Sequence, residues 1–153
     1  MTSEQLHFKA SEDSWSISQC LEHIILTEDM IFGMIQEYMK NPTNPEDKEK
    51  IQYSDQDILN FSTDRSEKYK APEMLLPDEK FDNSEDALNE LSKQREAVIT
   101  FIKQTPMDEL RNRVNESPSG HSDVYQSLLF MAGHTARHTL QIEEIKSAAN
   151  FPN

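Results

Sequence analysis

The sequence predicts an all-α bundle, and three observations carry that prediction. Three long stretches, roughly 16–40, 84–104 and 122–149, space their apolar residues at the helical period. Capping and breaking residues stand at their ends, such as Ser16 before the first and Thr105-Pro106 after the second. Only three glycines occur in 153 residues, and no run of alternating apolar and polar residues reads as a convincing strand.

A chain of this length suits one domain over 1–153 with a real core. Its 35% apolar residues are clustered rather than scattered among charges, which argues against disorder. With 28 acidic against 15 basic residues the net charge is −13, and there is no basic stripe. Phosphate backbones and anionic membrane surfaces are therefore not expected partners. Cys20 is the only cysteine, which excludes an internal disulfide framework and a thiolate zinc site. The first residues show no basic region followed by an apolar core, so no signal peptide is expected. The most apolar stretch, Ile24 to Ile35, is interrupted by Glu28 and Asp29 and is too short to span a bilayer. A cytoplasmic location is the expectation.

Residues 1–15 form a polar lead-in in which no helix is expected. Ser16-Ile17-Ser18-Gln19 then reads as a capping box, opening a helix to about Lys40. Its stripe is Ile17, Cys20, Leu21, Ile24, Ile31, Ile35 and Tyr38, and Asn41-Pro42 ends it. Residues 41–83 make a long crossover that opens with a charged proline-bearing loop over 41–50. A short helix is expected over Asp55–Phe61, and a turn or single helical turn over Lys70–Pro77. The helix from Ser84 to Gln104 is predicted to bury Leu88, Leu91, Val98 and Ile102. Another short turn of helix is expected within 106–114, and Ser117-Pro118-Ser119-Gly120 reads as a loop. The last helix carries Val124, Leu128, Met131, Thr135, His138, Ile142 and Ile145 on one face.

Two histidines lie four residues apart in Gly133-His134-Thr135-Ala136-Arg137-His138, so both imidazoles can point at one atom. Such a pair chelates first-row divalent metals well, although buried hydrogen-bonded histidines at this spacing are the commoner case. His23 lies on the shoulder of the first long stripe, where a bundle can bring it to the pair. Three imidazoles without thiolates would leave coordination positions open, as in catalytic rather than structural sites.

Trp15-Ser16-Ile17 with Leu21-Glu22-His23, then Lys70-Ala71-Pro72-Glu73, then Gly133 to Ile142 form an ordered set that resembles the DinB/YfiT-like family. The resemblance runs from about Gln5 to Phe151-Pro152. It implies an up-down-down-up four-helix bundle holding a divalent metal, zinc or nickel, on three histidines. Residue by residue these are His23, His134 and His138. It further implies a metal-dependent thiol transferase, or secondly a hydrolase, acting on a small molecule with a low-molecular-weight thiol as possible co-substrate. Only 14 residues precede Trp15, so helix one is expected to be absent or truncated. The groove it would occupy offers the alternative function, a non-catalytic module that binds a partner helix or forms a homodimer.

Glu28 and Arg95 fall on apolar sides of their helices, which suits either a buried ion pair or an anion-recognising Arg95 beside the pocket. Gln141, three residues after His138, is placed to orient it or line the pocket. Arg137 is expected to face an acidic neighbour, and His7 and His121 are expected to be solvated in loops. Cys20 reads as a buried, inert thiol, and Ser16 as a cap rather than a nucleophile.

Overall fold

The computed structural model describes Met1–Asn153. Six α-helices follow in order: α1 (Ser3–His7), α2 (Ile17–Tyr38), α3 (Asp55–Thr63), α4 (Ser84–Gln104), α5 (Met107–Arg111) and α6 (Val124–Lys146). Between α5 and α6 stand two strands, β1 (Val114–Ser117) and β2 (Gly120–Asp123). The fold is all-α in architecture, and no helix is long and apolar enough to cross a membrane.

Capping chemistry sets the starts of the helices. Ser16 accepts from the Gln19 amide while Gln19 Oε1 accepts from the Ser16 amide, at 3.2 and 3.0 Å. The same reciprocal box recurs at Thr2 with Gln5 and at Ser54 with Asp57. The first of these makes a short helix where the sequence reading had none, and His7 belongs to it. Rather than being solvated, the His7 ring nitrogens lie 2.9 Å from the Ser3 carbonyl oxygen and 3.2 Å from that of Phe81. That contact ties α1 to the crossover.

A second correction concerns residues 114–123, which form an antiparallel hairpin instead of a loop. Val114 pairs with Asp123 and Ser117 with Gly120, with Pro118-Ser119 as a two-residue turn. Gly120 closes it at φ +112°, a conformation that side chains disfavour. His121 lies in β2, half-buried, and bridges to Ile51. The charged loop predicted over 41–50 contains a 3₁₀-helix at Pro45–Lys50, and Glu73–Leu75 makes another single turn.

The interior consists of two apolar clusters with a polar layer between them along α2. Leu6, Ile17, Cys20, Leu21, Phe81 and Ile145 belong to one, and Ile31, Ile35, Val98, Val124, Leu128 and Met131 to the other. Glu22, His23, Thr27 and Glu28 are buried in the intervening stretch of α2. Buried polar groups need partners, and most of these find them. Glu22 accepts from the backbone amides of Asp78 and Lys80, both at 3.0 Å, which fastens the crossover to α2.

α3 and α2 both pack along α6, whereas α4 packs chiefly on α2. The predicted burial of α4 needs correction: Val98 is buried, but Leu88 and Ile102 are 51% and 44% exposed, and Ile99 is exposed beside them. The apolar arc of α4 is wider than the surface α2 offers, and its outer half faces away from the core.

Candidate metal centre

His23 enters from the middle of α2, while His134 and His138 stand one turn apart on α6. The helical period alone explains the pair, and the packing of α2 on α6 explains the third ring. His134 Nε2 lies 3.3 Å from His23 Nε2 and 3.2 Å from His138 Nε2. Nitrogens bound at about 2.0–2.1 Å to one tetrahedral ion would be about 3.3–3.4 Å apart, so the spacing suits a shared cation. All three ligand atoms fall within 4.8 Å of one another.

The outer nitrogens decide which protons the rings carry. His23 Nδ1 is 2.8 Å from the Leu75 carbonyl oxygen, an obligate acceptor, so Nδ1 holds the proton and Nε2 a lone pair. His138 Nδ1 lies 2.9 Å from Gln141 Oε1, with the same consequence. His134 Nδ1 is buried and finds no partner. A neutral cluster thus contains at most one proton among three converging Nε2 atoms, and two of these point lone pairs inward. This arrangement could hold a cation.

Burial reinforces it. Desolvation is the main cause pushing the His134 pKa down to about 4 and the His138 pKa down to about 3, with the neighbouring imidazoles adding to both. His23 is lowered by burial too, partly opposed by its bond to Leu75. All three rings are therefore neutral at pH 7, the state a metal requires. The buried carboxylates of α2 are otherwise engaged, Glu22 by backbone amides and Glu28 by Arg95.

Aromatic rings enclose the cluster. The Trp15 indole lies 4.8 Å from the His23 ring and stacks on His138 at 6.0 Å, while Phe130 stacks on His134 at 6.0 Å. A surface groove of about 460 Å³ lies elsewhere: Phe32, Lys93, Glu96 and Phe101 help line it between α2 and α4.

The structure separates the remaining sequence candidates. Glu28, 1% exposed, is paired with Arg95, and the Thr135 hydroxyl donates to it at 2.5 Å. Arg95 also reaches Thr135 Oγ1 at 2.9 Å, so this trio ties α4 to α2 and α6 without touching an imidazole. Gln141, by contrast, contacts His138 directly. Arg137 finds no acidic partner: it donates to the Glu67 carbonyl oxygen at 2.6 Å and sits over the Tyr69 ring. Cys20 is fully buried, and burial pushes its thiol pKa up to about 12.

Two residues that touch this centre's supports were not legible as such. Leu75 contributes only a backbone oxygen, which no side-chain pattern reports. Arg65, just beyond α3, holds Glu144 with Nε and Nη2 at 2.8 and 2.6 Å and reaches Gln141 Oε1 at 3.4 Å. Its separation of 76 positions from Gln141 puts it beyond any periodicity argument.

Comparison with known proteins supplies an independent line. The family described as the DinB superfamily matches residues 1–142. The chain is similar to the uncharacterized protein YuaE of Bacillus subtilis (strain 168), with 27% identity over 146 residues covering 95% of this chain and 86% of that protein. No solved structure matches the chain significantly.

Proposed function

The chain belongs to the DinB superfamily, and on that premise we propose that it binds a divalent metal, zinc or nickel, through Nε2 of His23, His134 and His138. The observation that carries the reading is the convergence of three neutral imidazoles, two of them fixed with Nε2 free. Three nitrogens leave room in the coordination sphere for water or a small-molecule thiol. The bound ion would supply Lewis acidity that makes hydroxide or thiolate available near neutral pH. The protein's own groups hold the rings: the Leu75 carbonyl and Gln141 orient two of them, and Trp15 and Phe130 cover their faces. Thiol transfer is the reaction class that family resemblance favours, with hydrolysis second.

Elemental analysis of the purified protein tests the metal reading. Roughly one ion per chain is expected, with a sharp loss in the His134→Ala, His138→Ala double variant. Unchanged metal content in a folded double variant sinks it.

A second reading, a non-catalytic interaction module, draws support from the exposed Leu88, Ile99 and Ile102 on α4. Self-association or capture of a partner helix through that face is its requirement. Sedimentation of a strict monomer with no bound helix counts against it.

A further inference from the structure

Arg65 is the least expected member of the constellation around the histidines. Its guanidinium can only donate hydrogen bonds and is charged at any ordinary pH. The atom of Gln141 that meets Arg65 Nη1 at 3.4 Å must therefore be the acceptor, Oε1. That same oxygen lies 2.9 Å from His138 Nδ1, so His138 must bring a proton to it. Reversal of the Gln141 amide would set its NH₂ against both Arg65 and His138 Nδ1. Arg65 opposes that reversal, and it is itself anchored by two bonds to Glu144, one turn beyond Gln141 on α6.

We propose that Arg65 is a positioning residue: acting through Gln141, it holds His138 in the Nδ1–H tautomer, with the Nε2 lone pair aimed at the metal position. The proposal rests on the metal-site reading for its purpose, though not for its test. His23 needs no such device, because the Leu75 backbone carbonyl cannot reverse. A side-chain amide can, and a cation that only donates is what removes the ambiguity. The same contact draws electron density from the carboxamide. His138 is thereby left a weaker donor than a carboxylate partner would make it, and the ion correspondingly more acidic.

Nitrogen-15 NMR of the histidine rings in the metal-free protein at pH 7.5 reads the tautomer directly. Wild type should show His138 as a single Nδ1–H species. Arg65→Met should lose that single pattern and show both tautomers, while Arg65→Lys, a donor-only cation, should keep it. The Arg65→Met, Gln141→Glu double variant should restore Nδ1–H, since a carboxylate has no donor to reverse. Zinc affinity, measured by competition with a chromophoric chelator, should fall on the order of tenfold in Arg65→Met and recover in the double variant. If Arg65→Met folds poorly, Arg65→Gln serves instead, because its amide both donates and accepts. An unchanged His138 tautomer in a folded Arg65→Met or Arg65→Gln protein overturns the proposal, as does failure of the double variant to restore it. Wild-type protein that binds no zinc refutes the metal reading and leaves the tautomer result to decide on Arg65.

Discussion

A β-carbon built on Gly133 would lie 1.8 Å from Ser62 Oγ and 2.8 Å from Ser62 Cβ. The residue preceding His134 is thus a point where α3 lies directly against α6, and the glycine is there for closeness rather than flexibility. Turning the hydroxyl away relieves only the first contact, so the two helices must also part. Gly133→Ala should destabilise the fold by about 1–3 kcal/mol despite the better helix propensity of alanine. Adding Ser62→Gly should return part of that loss, because the next neighbour is Thr63 Cγ2 at 3.6 Å. Urea denaturation of the single and double variants measures both effects. A Gly133→Ala protein as stable as wild type contradicts the packing argument.

Glu28 gives a second prediction. Its carboxylate is 1% exposed and depends on Arg95 and the Thr135 hydroxyl, whereas Arg95 is 37% exposed and partly screened. Arg95→Met strands a buried charge and should cost about 2–3 kcal/mol, below the usual range for a fully buried pair because of that screening. Arg95→Met combined with Glu28→Gln should cost distinctly less than the two single losses added together. Additive losses in a double-mutant cycle would show that the pair is not coupled.

The contrast between these residues and the imidazoles shows what local pattern reveals. The i,i+4 pair, the Ser16–Gln19 box and the stripe of α2 are all encoded within one or two helical turns, so they can be read from the chain. The box at Thr2 has the same logic, but a five-residue helix offers no long stripe to draw attention to it. β1 and β2 carry a single apolar residue each at most within Val114–Asp123, leaving no alternation to detect. Leu88 and Ile102 were expected inside because periodicity locates an apolar face without saying what covers it. Arg65 and the Leu75 carbonyl depend on how the crossover folds back, which is tertiary information.

Cys20 should be chemically silent. The thiol is fully buried and its pKa is raised to about 12, so almost no thiolate exists at pH 8. Labelling by a disulfide reagent should be slow in native buffer and complete in 6 M urea, proceeding only as fast as the protein opens. Stoichiometric labelling within seconds under native conditions would exclude the inert role.

The metal-free protein should lose stability as pH falls from about 6.5 towards 4. The sign follows from the lowered folded-state values of His134 and His138, about 4 and 3, against 6.5 when unfolded. Above 6.5 neither state binds the protons, and the stability is fully present. Below it the unfolded chain takes up protons that the native cluster refuses, so unfolding is favoured until the folded values are reached. Chelator-treated protein followed by urea titration at pH 7.5, 6.5, 5.8 and 5.2 stays above the range in which carboxylates dominate. The His134→Gln, His138→Gln variant should show a flatter profile over this range. Equal slopes in the two proteins would show that these rings do not carry the effect.

Metal affinity should respond to pH in a different way from that of ordinary surface histidines. Exposed imidazoles titrate near 6.5 and lose divalent ions as pH drops through that value, because proton and metal compete for one lone pair. Here burial has already removed the proton from His134 and His138 at pH 6, and it lowers the His23 pKa as well. Zinc affinity should therefore change by only about twofold between pH 7.5 and 6.0, and fall steeply only as the pH approaches the folded-state values. Competition titrations against a chelator of known pH dependence provide the measurement, with a surface two-histidine peptide as the control that weakens. A tenfold or greater loss at pH 6.0 would mean that the cluster opens to water or binds through protonatable rings, and the enclosed neutral site drawn from Trp15, Phe130 and the three imidazoles would have to be abandoned.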